Sequence, residues 1–319
     1  MGLFGLAAQS LLFLALATFY NIFCYFVPAM KYKILLKYAG EHISILNAFL
    51  TFTITKFSTT ITPFVSGPMI AKPMASKYLA NIPLKKGAFI TAFEQLLDFG
   101  SFLLLIPILM IFIGERVFFN SVMPKLILFF GVVIFCTIAL IKRKHLVSFI
   151  WKAKTLLPMK IRIFGKNAGL SEENAHQLLN DILVYVKNPK PIAALIPFFA
   201  FQFLAMPIIL QLVALAFDVN LSFKLAFVIY WFSSALGKLS GSPSGFGVTD
   251  ISMGGLLAAN GVAAAVIIKI VLFYRIISLL PAIAIGAPLS LYIGAKYAKE
   301  KIEEKNAEKN LLAADKPSQ

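Results

Sequence analysis

Apolar residues run along this chain in long blocks separated by short polar stretches. The blocks fall at 3–29, 44–63, 87–113, 124–141, 192–217, 222–239, 251–259 and 262–295. Several exceed the ~18 residues that mark a membrane span. A backbone in lipid must satisfy its own N–H and C=O groups, so each block is predicted to be helical. The predicted fold is all-α, a polytopic helical membrane protein with about 8 hydrophobic segments in two pseudo-repeated halves with broken or re-entrant helices. Residues 1–141 form the first transmembrane half and 191–295 the second. Between them, 142–190 is a basic loop, whose stretch "SEENAHQLLNDILVYVK" has the apolar spacing of a surface amphipathic helix. Residues 296–319 form a charged polar tail that is expected to fray. The block 262–295 is too long for one upright span, so it is either one tilted helix or two helices meeting near residues 278–281. Counting it as two gives eight crossings with both termini inside. That version is preferred to one in which 44–81 dips into the membrane and returns.

Two breaks interrupt the pattern, one in each half. The first is "TPFVSGPMIAKP", residues 62–73; the second is "SGSPSGFGVTD", residues 240–250. Each follows an apolar run rich in hydroxyl side chains, contains Ser-Gly and Pro, and leads into a short helical piece ending at an asparagine, Asn81 or Asn260. Irregular backbone at membrane depth is tolerated where protein shields it or where it lines a wet cavity. Paired broken segments in two halves point to a transporter's substrate site. The alternative is an ordinary turn at the membrane surface, with glycines that let helices pack. Candidate substrate contacts are Ser66, Gly67 and Lys72 in the first break, with Ser242, Pro243, Ser244, Gly245, Gly247 and Asp250 in the second. Asp250 is equally suited to capping a helix that begins at Ile251.

Charges within the apolar helices sharpen this picture. Glu94 and Asp98 stand at i and i+4 and share a helix face. Arg275 lies about mid-run in its block, and Lys269 lies nearer the edge, where it can snorkel to the interface. A lone charge at the centre of a spanning helix costs about 2.5–3.5 kcal/mol on insertion scales. The economical arrangement pairs Glu94 or Asp98 with Arg275 inside the bundle, either to fix helix register or to line a polar cavity. Lys56 and Lys72 are further cations placed to face such a cavity. Arg275 would hold an anionic headgroup there, because a guanidinium fork matches phosphate oxygens.

Composition agrees with a membrane setting. Of 319 residues, 59% are hydrophobic and 14% charged, and the mean hydropathy is +0.84. The net charge of +16 does not mark a nucleic-acid binder, because the cations gather between apolar blocks. Ten Lys/Arg against three Asp/Glu in 142–190 is the signature of a cytoplasmic loop. The protein is therefore expected in the cell membrane, with that loop and the tail cytoplasmic. Cys24 and Cys136 lie in apolar runs without ligand or redox spacing. The first block is too long for a signal peptide's apolar core and reads as a retained helix.

The two breaks and the charged helices after them resemble the transmembrane region of lysylphosphatidylglycerol synthases and their stand-alone, flippase-like relatives. The family's Pro/Gly turn and acidic helix correspond to "TPFVSGPMIAKP" and "FEQLLDF", with Glu94 and Asp98 in the acidic places and Gln95 where Arg is usual. Its second motif corresponds to "SPSGFGVTD" and then "NGVAAAVIIKIVLFYRII", with Asp250 replacing Glu. The resemblance implies a membrane domain that moves a lipid, or a lipid-linked group, between leaflets. It does not carry over synthase activity, since nothing in this sequence corresponds to the aminoacyl-transfer domain.

Enzyme signatures are sparse. His42, His145 and His176 are scattered, and neither a P-loop nor a nucleophile elbow is present. The expected function is a lipid flippase or secondary transporter for an anionic or lipid-linked headgroup, without cofactor or metal. Its partners would be membrane lipids and a separate synthase or glycosyltransferase, not nucleic acid. The alternatives are a membrane glycosyltransferase or phosphatase, using Glu94, Asp98 and Asp250 as metal ligands or as acid and base, and a non-catalytic scaffold.

Overall fold

Serines open two short helices of equal length. The computed structural model describes residues 8–62, 66–113 and 190–314. Ser44 Oγ accepts the N–H of Asn47 at 3.1 Å and starts α2, Ile45–Ile61; Ser222 Oγ accepts that of Leu225 at 3.2 Å and starts a 17-residue helix, Phe223–Leu239. Each is the first arm of a helical hairpin. In the first half, α1 (Ala8–Tyr38) precedes α2, α3 (Ser66–Ala80) returns beside it, and α4 (Leu84–Ile113) follows. In the second half α5 (Lys190–Leu215) precedes α6 (Phe223–Leu239), the returning arm is α7 (Val248–Ala259), and α8 (Ala264–Pro281) follows. A π-helical turn, Ala282–Gly286, joins α8 to α9, Ala287–Ala314. No strand occurs among the described residues.

The residues up to Leu104 and from Tyr185 onward form one unit; Leu105–Val184 form another, whose described part, 105–113, is the end of α4. The fourth apolar block and the amphipathic stretch at 171–187 lie outside the described residues. Three described helical stretches are long and apolar enough to cross a membrane: Ala8–Tyr38, Lys190–Leu215 and Ala264–Glu303.

Within the first unit, Leu14 and Ala17 near the start of α1 join a core with Ile209, Leu210 and Val213 late in α5. Lys31, near the end of α1, instead meets Phe199 and Gln202 in the first part of α5. The helices opening the two halves therefore run antiparallel, as in an inverted repeat. Met253 and Leu257 of α7, Ala226 and Ile229 of α6, and Ile270 and Ile277 of α8 complete this core.

Three expectations change. The first helix runs on through Lys31 to Tyr38 instead of stopping near 29, because Lys31 falls on the buried stripe with Cys24, Val27 and Leu35 and finds partners there. The block 262–295 is one continuous helix, so the two-span count behind eight crossings loses its premise. Pro281 removes one backbone donor, and the chain answers with a π turn rather than a break. Gly286 closes that turn directly against α2; a Cβ there would overlap the Thr53 carbonyl and stand 3.0 Å from Phe57 Cβ. Finally, the tail does not fray at 296. It stays helical to Ala314, and on it Glu300 accepts from Tyr78 Oη at 2.7 Å and Lys77 Nζ at 3.2 Å.

Candidate functional site

The second break folds into a tight turn with a cation bound over it. Ser242 leads into a single 3₁₀ turn, Pro243–Gly245, where proline's fixed φ suits the first position. Ser244 takes a left-handed conformation, φ 50, uncommon for a residue with a side chain. Its carbonyl thereby meets Arg275 Nη1 at 3.1 Å. Arg275, in the middle of α8, also donates from Nε (3.0 Å) and Nη2 (2.6 Å) to Asp250 Oδ1, and its guanidinium lies 4.5 Å from the Phe246 ring centroid. Asp250 Oδ2 accepts the Gly247 N–H at 3.0 Å, so one carboxylate caps α7 and holds the arginine. The helix starts at Val248, three residues earlier than the sequence implied. Ser242 Oγ stays within the turn, 2.8 Å from Ser240 Oγ and donating to the Phe246 carbonyl at 3.2 Å. The arms touch through glycine: a Cβ on Gly245 would lie 3.2 Å from Gly237 Cα on α6. Three of the five guanidinium N–H donors are engaged, and the pair is partly accessible, 14% for Arg275 and 27% for Asp250.

The first break carries a matching pair of opposite polarity. Gly67 presses against the end of α2, where a Cβ would overlap Thr62 Oγ1 and stand 3.2 Å from the Ser58 carbonyl. Five residues beyond Gly67 comes Lys72, as Asp250 comes five beyond Gly245. Lys72 Nζ bonds Glu94 Oε2 on α4, and lies 4.3 Å from the Tyr32 ring centroid. Both side chains are only 3% exposed. One turn along α4, Asp98 Oδ1 takes Lys31 Nζ at 2.5 Å; Lys31 also reaches Gln202 Oε1 at 3.0 Å and the Phe199 ring. Lys31 is 1% exposed, whereas Asp98 opens to 36%. In each half, then, the returning arm of the hairpin is tied to the following helix by one ion pair.

Two more cations lie on the helices that lead into the breaks. Lys56 on α2 is half-buried. Lys238, two residues before the second break, is accessible. α2 is the element both breaks share: the first is its C-terminal end, and the turn Pro243–Gly245 packs against it. Its hydroxyls are largely self-satisfied, with Thr53, Thr55, Thr59, Thr60 and Thr62 each donating to a carbonyl three or four residues back.

Several expected placements change here. Neither Glu94 nor Asp98 pairs with Arg275; nearer cations on α3 and α1 hold the acids, and Asp250 holds the arginine. Among the described residues no three His, Cys, Asp or Glu stand close enough to share a metal ion, so Glu94, Asp98 and Asp250 do not form the ligand set considered for an enzyme. Ser66 lies at the first position of α3, and Lys269 is exposed on α8, as snorkelling requires. The sequence reading missed Lys31, Gln202, Phe246 and Lys238. A signal existed for Lys31, since helical spacing places it on the same face as Cys24 and Leu35. Gln202 and Phe246 carry none.

Comparison with known proteins finds a relative and a family. A "UPF0104 membrane protein" of Methanothermobacter thermautotrophicus is 26% identical over 257 residues, which cover 76% of this chain and 72% of that one. The family described as the lysylphosphatidylglycerol synthase TM region matches residues 5–286, a stretch that takes in both hairpins, both ion pairs and the π turn. This chain belongs to that family, and it is a helical membrane protein.

Proposed function

We propose that the protein is a flippase, carrying a lipid with an anionic headgroup between leaflets along the path marked by the two hairpins. The observation that supports this best is the Arg275–Asp250 pair. A guanidinium held by a single carboxylate oxygen, a carbonyl and an aromatic face, yet partly accessible, is primed to exchange that carboxylate for a phosphate. Asp250 would keep its bond to the Gly247 N–H during the exchange, so the turn need not unravel. The sealed Lys72–Glu94 pair would stay closed at that stage and hold the opposite side of the path. In this reading the basic segment 142–190 and the C-terminal tail face the cytoplasm, and the acyl chains stay in lipid while the headgroup crosses.

The test is translocation by the full chain in liposomes, followed as dithionite quenching of a fluorescent anionic phospholipid. The wild type is expected to move the probe from the inner leaflet, and Arg275→Gln to reduce the rate at least tenfold while inserting normally. Translocation by Arg275→Gln at the wild-type rate would refute the reading.

A further inference from the structure

The two hairpins open on opposite ends of the bundle. One end can be followed from contact to contact. α1 finishes there and α5 begins there, since the two run antiparallel and Lys31 reaches Gln202 at 3.0 Å. Lys86, in the first turn of α4, bonds Glu41 just past α1 at 2.9 Å. Asn47, in the first turn of α2, donates to the Leu79 carbonyl near the end of α3 at 2.7 Å. The first hairpin therefore leaves this end and returns to it, and Glu300 brings α9 to the same place through Tyr78 and Lys77. The second hairpin starts from the other end. Gln211 Nε2, near the end of α5, meets the Leu221 carbonyl just before α6 at 2.8 Å. Leu257, two residues before α7 ends, shares a core with Leu221, Val213 and Leu14 near the start of α1.

Lysines gather at the first of these ends. Lys33 and Lys37 stand near the end of α1, Lys77 in the last turn of α3, Lys85 and Lys86 in the first turn of α4, and Lys296 on α9. Lys77 and Lys296 flank the Tyr78 ring, 4.9 and 5.3 Å from its centroid. Tyr38, Tyr292 and Tyr297 are exposed on the same stretches. Toward the other end the described lysines are Lys224 on α6 and Lys269 on α8. Lysines close to the ends of spans set the orientation of a membrane protein, and tyrosines collect at headgroup level. The cytoplasmic leaflet, rich in anionic lipid, attracts exposed lysines on its side. The segment 142–190, with its ten Lys/Arg, leads into α5 at this same end.

We infer that this lysine- and tyrosine-rich end is the cytoplasmic face and rests on the anionic phospholipid headgroups of that leaflet. The start of α1 then lies outside, in place of the expected arrangement with both termini inside. The first hairpin dips in from the cytoplasm and the second from the exterior, so each break is approached from its own leaflet. This placement holds whether or not the protein moves lipid.

Sidedness is read in intact cells that make the full chain with Cys24→Ala and Cys136→Ala. One cysteine is then introduced, either His42→Cys at the lysine-rich end or Asn220→Cys in the turn before α6; both positions are exposed. A membrane-impermeant maleimide is expected to label Asn220→Cys from outside, and His42→Cys only once the cells are opened. Labelling of His42→Cys in intact cells, or of Asn220→Cys only after opening, overturns the inference. The seat is read on the purified full chain in mixed micelles, as the rise in unfolding temperature with phosphatidylglycerol against that with phosphatidylcholine. Phosphatidylglycerol is expected to give about twice the rise. The triple variant Lys37→Gln, Lys85→Gln, Lys296→Gln, changed at exposed positions, should lose at least about half of that difference. Arginine at the same three positions should keep it, and Lys269→Gln should leave it unchanged. Equal rises with the two lipids, or a full difference in the triple Gln variant, also overturns the inference. A chain that moves no lipid in liposomes but labels and responds as expected sinks the flippase reading alone. Reversed labelling with translocation intact sinks only this one.

Discussion

The two hairpins share a plan and differ in how they treat charge. Both have a Ser-capped first arm, a glycine at the point of closest approach, and an ionised residue five positions later bonded to the next helix. At the first hairpin the pair is sealed, and Lys31 and Lys72 face Asp98 and Glu94. At the second the pair is partly open. A buried pair is a poor source of net stability but is costly to break, so it suits a fixed joint. A partly hydrated pair loses less on separation, so it suits a site where partners change. Repetition supplied the same scaffold twice, and the charges assign different work to each copy.

The largest test of this contrast removes one member of the sealed pair. Glu94→Leu leaves Lys72 charged and buried, and should cost about 3–5 kcal/mol, seen as a steep fall in thermal stability in detergent. Adding Lys72→Met should restore most of the loss. If Glu94→Leu unfolds like the wild type, the first hairpin is no fixed joint. Asp250→Asn removes the charge-assisted bonds to Arg275 from a wetter site and should cost about 1–3 kcal/mol. A loss as large as that of Glu94→Leu would erase the distinction between the hairpins. Backbone tests come next. Gly245→Ala should cost about 1–2 kcal/mol, since φ is +70 there and the new Cβ would meet Thr249 and Gly237. Gly67→Ala carries no such φ penalty, and Thr62→Ala should relieve part of its clash. The smallest effect belongs to Glu300→Gln. Its ion pair with Lys77 is solvent-exposed on both sides, and no shift in unfolding temperature is expected at physiological salt.

The interruptions were legible because Gly, Pro and Ser in an oily context leave few backbone options. Asp250 was legible as a cap because its offset from the turn glycine is local. The ion pairs were not. Lys31 and Asp98 are 67 residues apart in sequence, and a lysine at the end of an apolar run ordinarily marks the end of a span. Helical spacing puts Lys31 on the face of Cys24 and Leu35, but its partners on α4 and α5 are visible only in the structure. Polar composition alone hides the helix in the tail. Its Ala, Glu and Lys are good helix formers, and Lys299 and Glu303 pair at i,i+4. Pro281 likewise announced a break and produced only a π turn, because Gly286 lets the helix lean on α2.

That unbroken helix has a mechanical consequence. Residues 264–314 measure roughly 75 Å end to end at 1.5 Å per residue, against a hydrocarbon layer of ~30 Å. The rod is longer than the layer is thick, so its polar end projects beyond the oily layer, with the π turn resting against Thr53. A tilt of a few degrees at that fulcrum becomes a displacement of several ångströms at the far end, so a spectroscopic label near Ala314 would act as a pointer for motions too slight to follow within the bilayer.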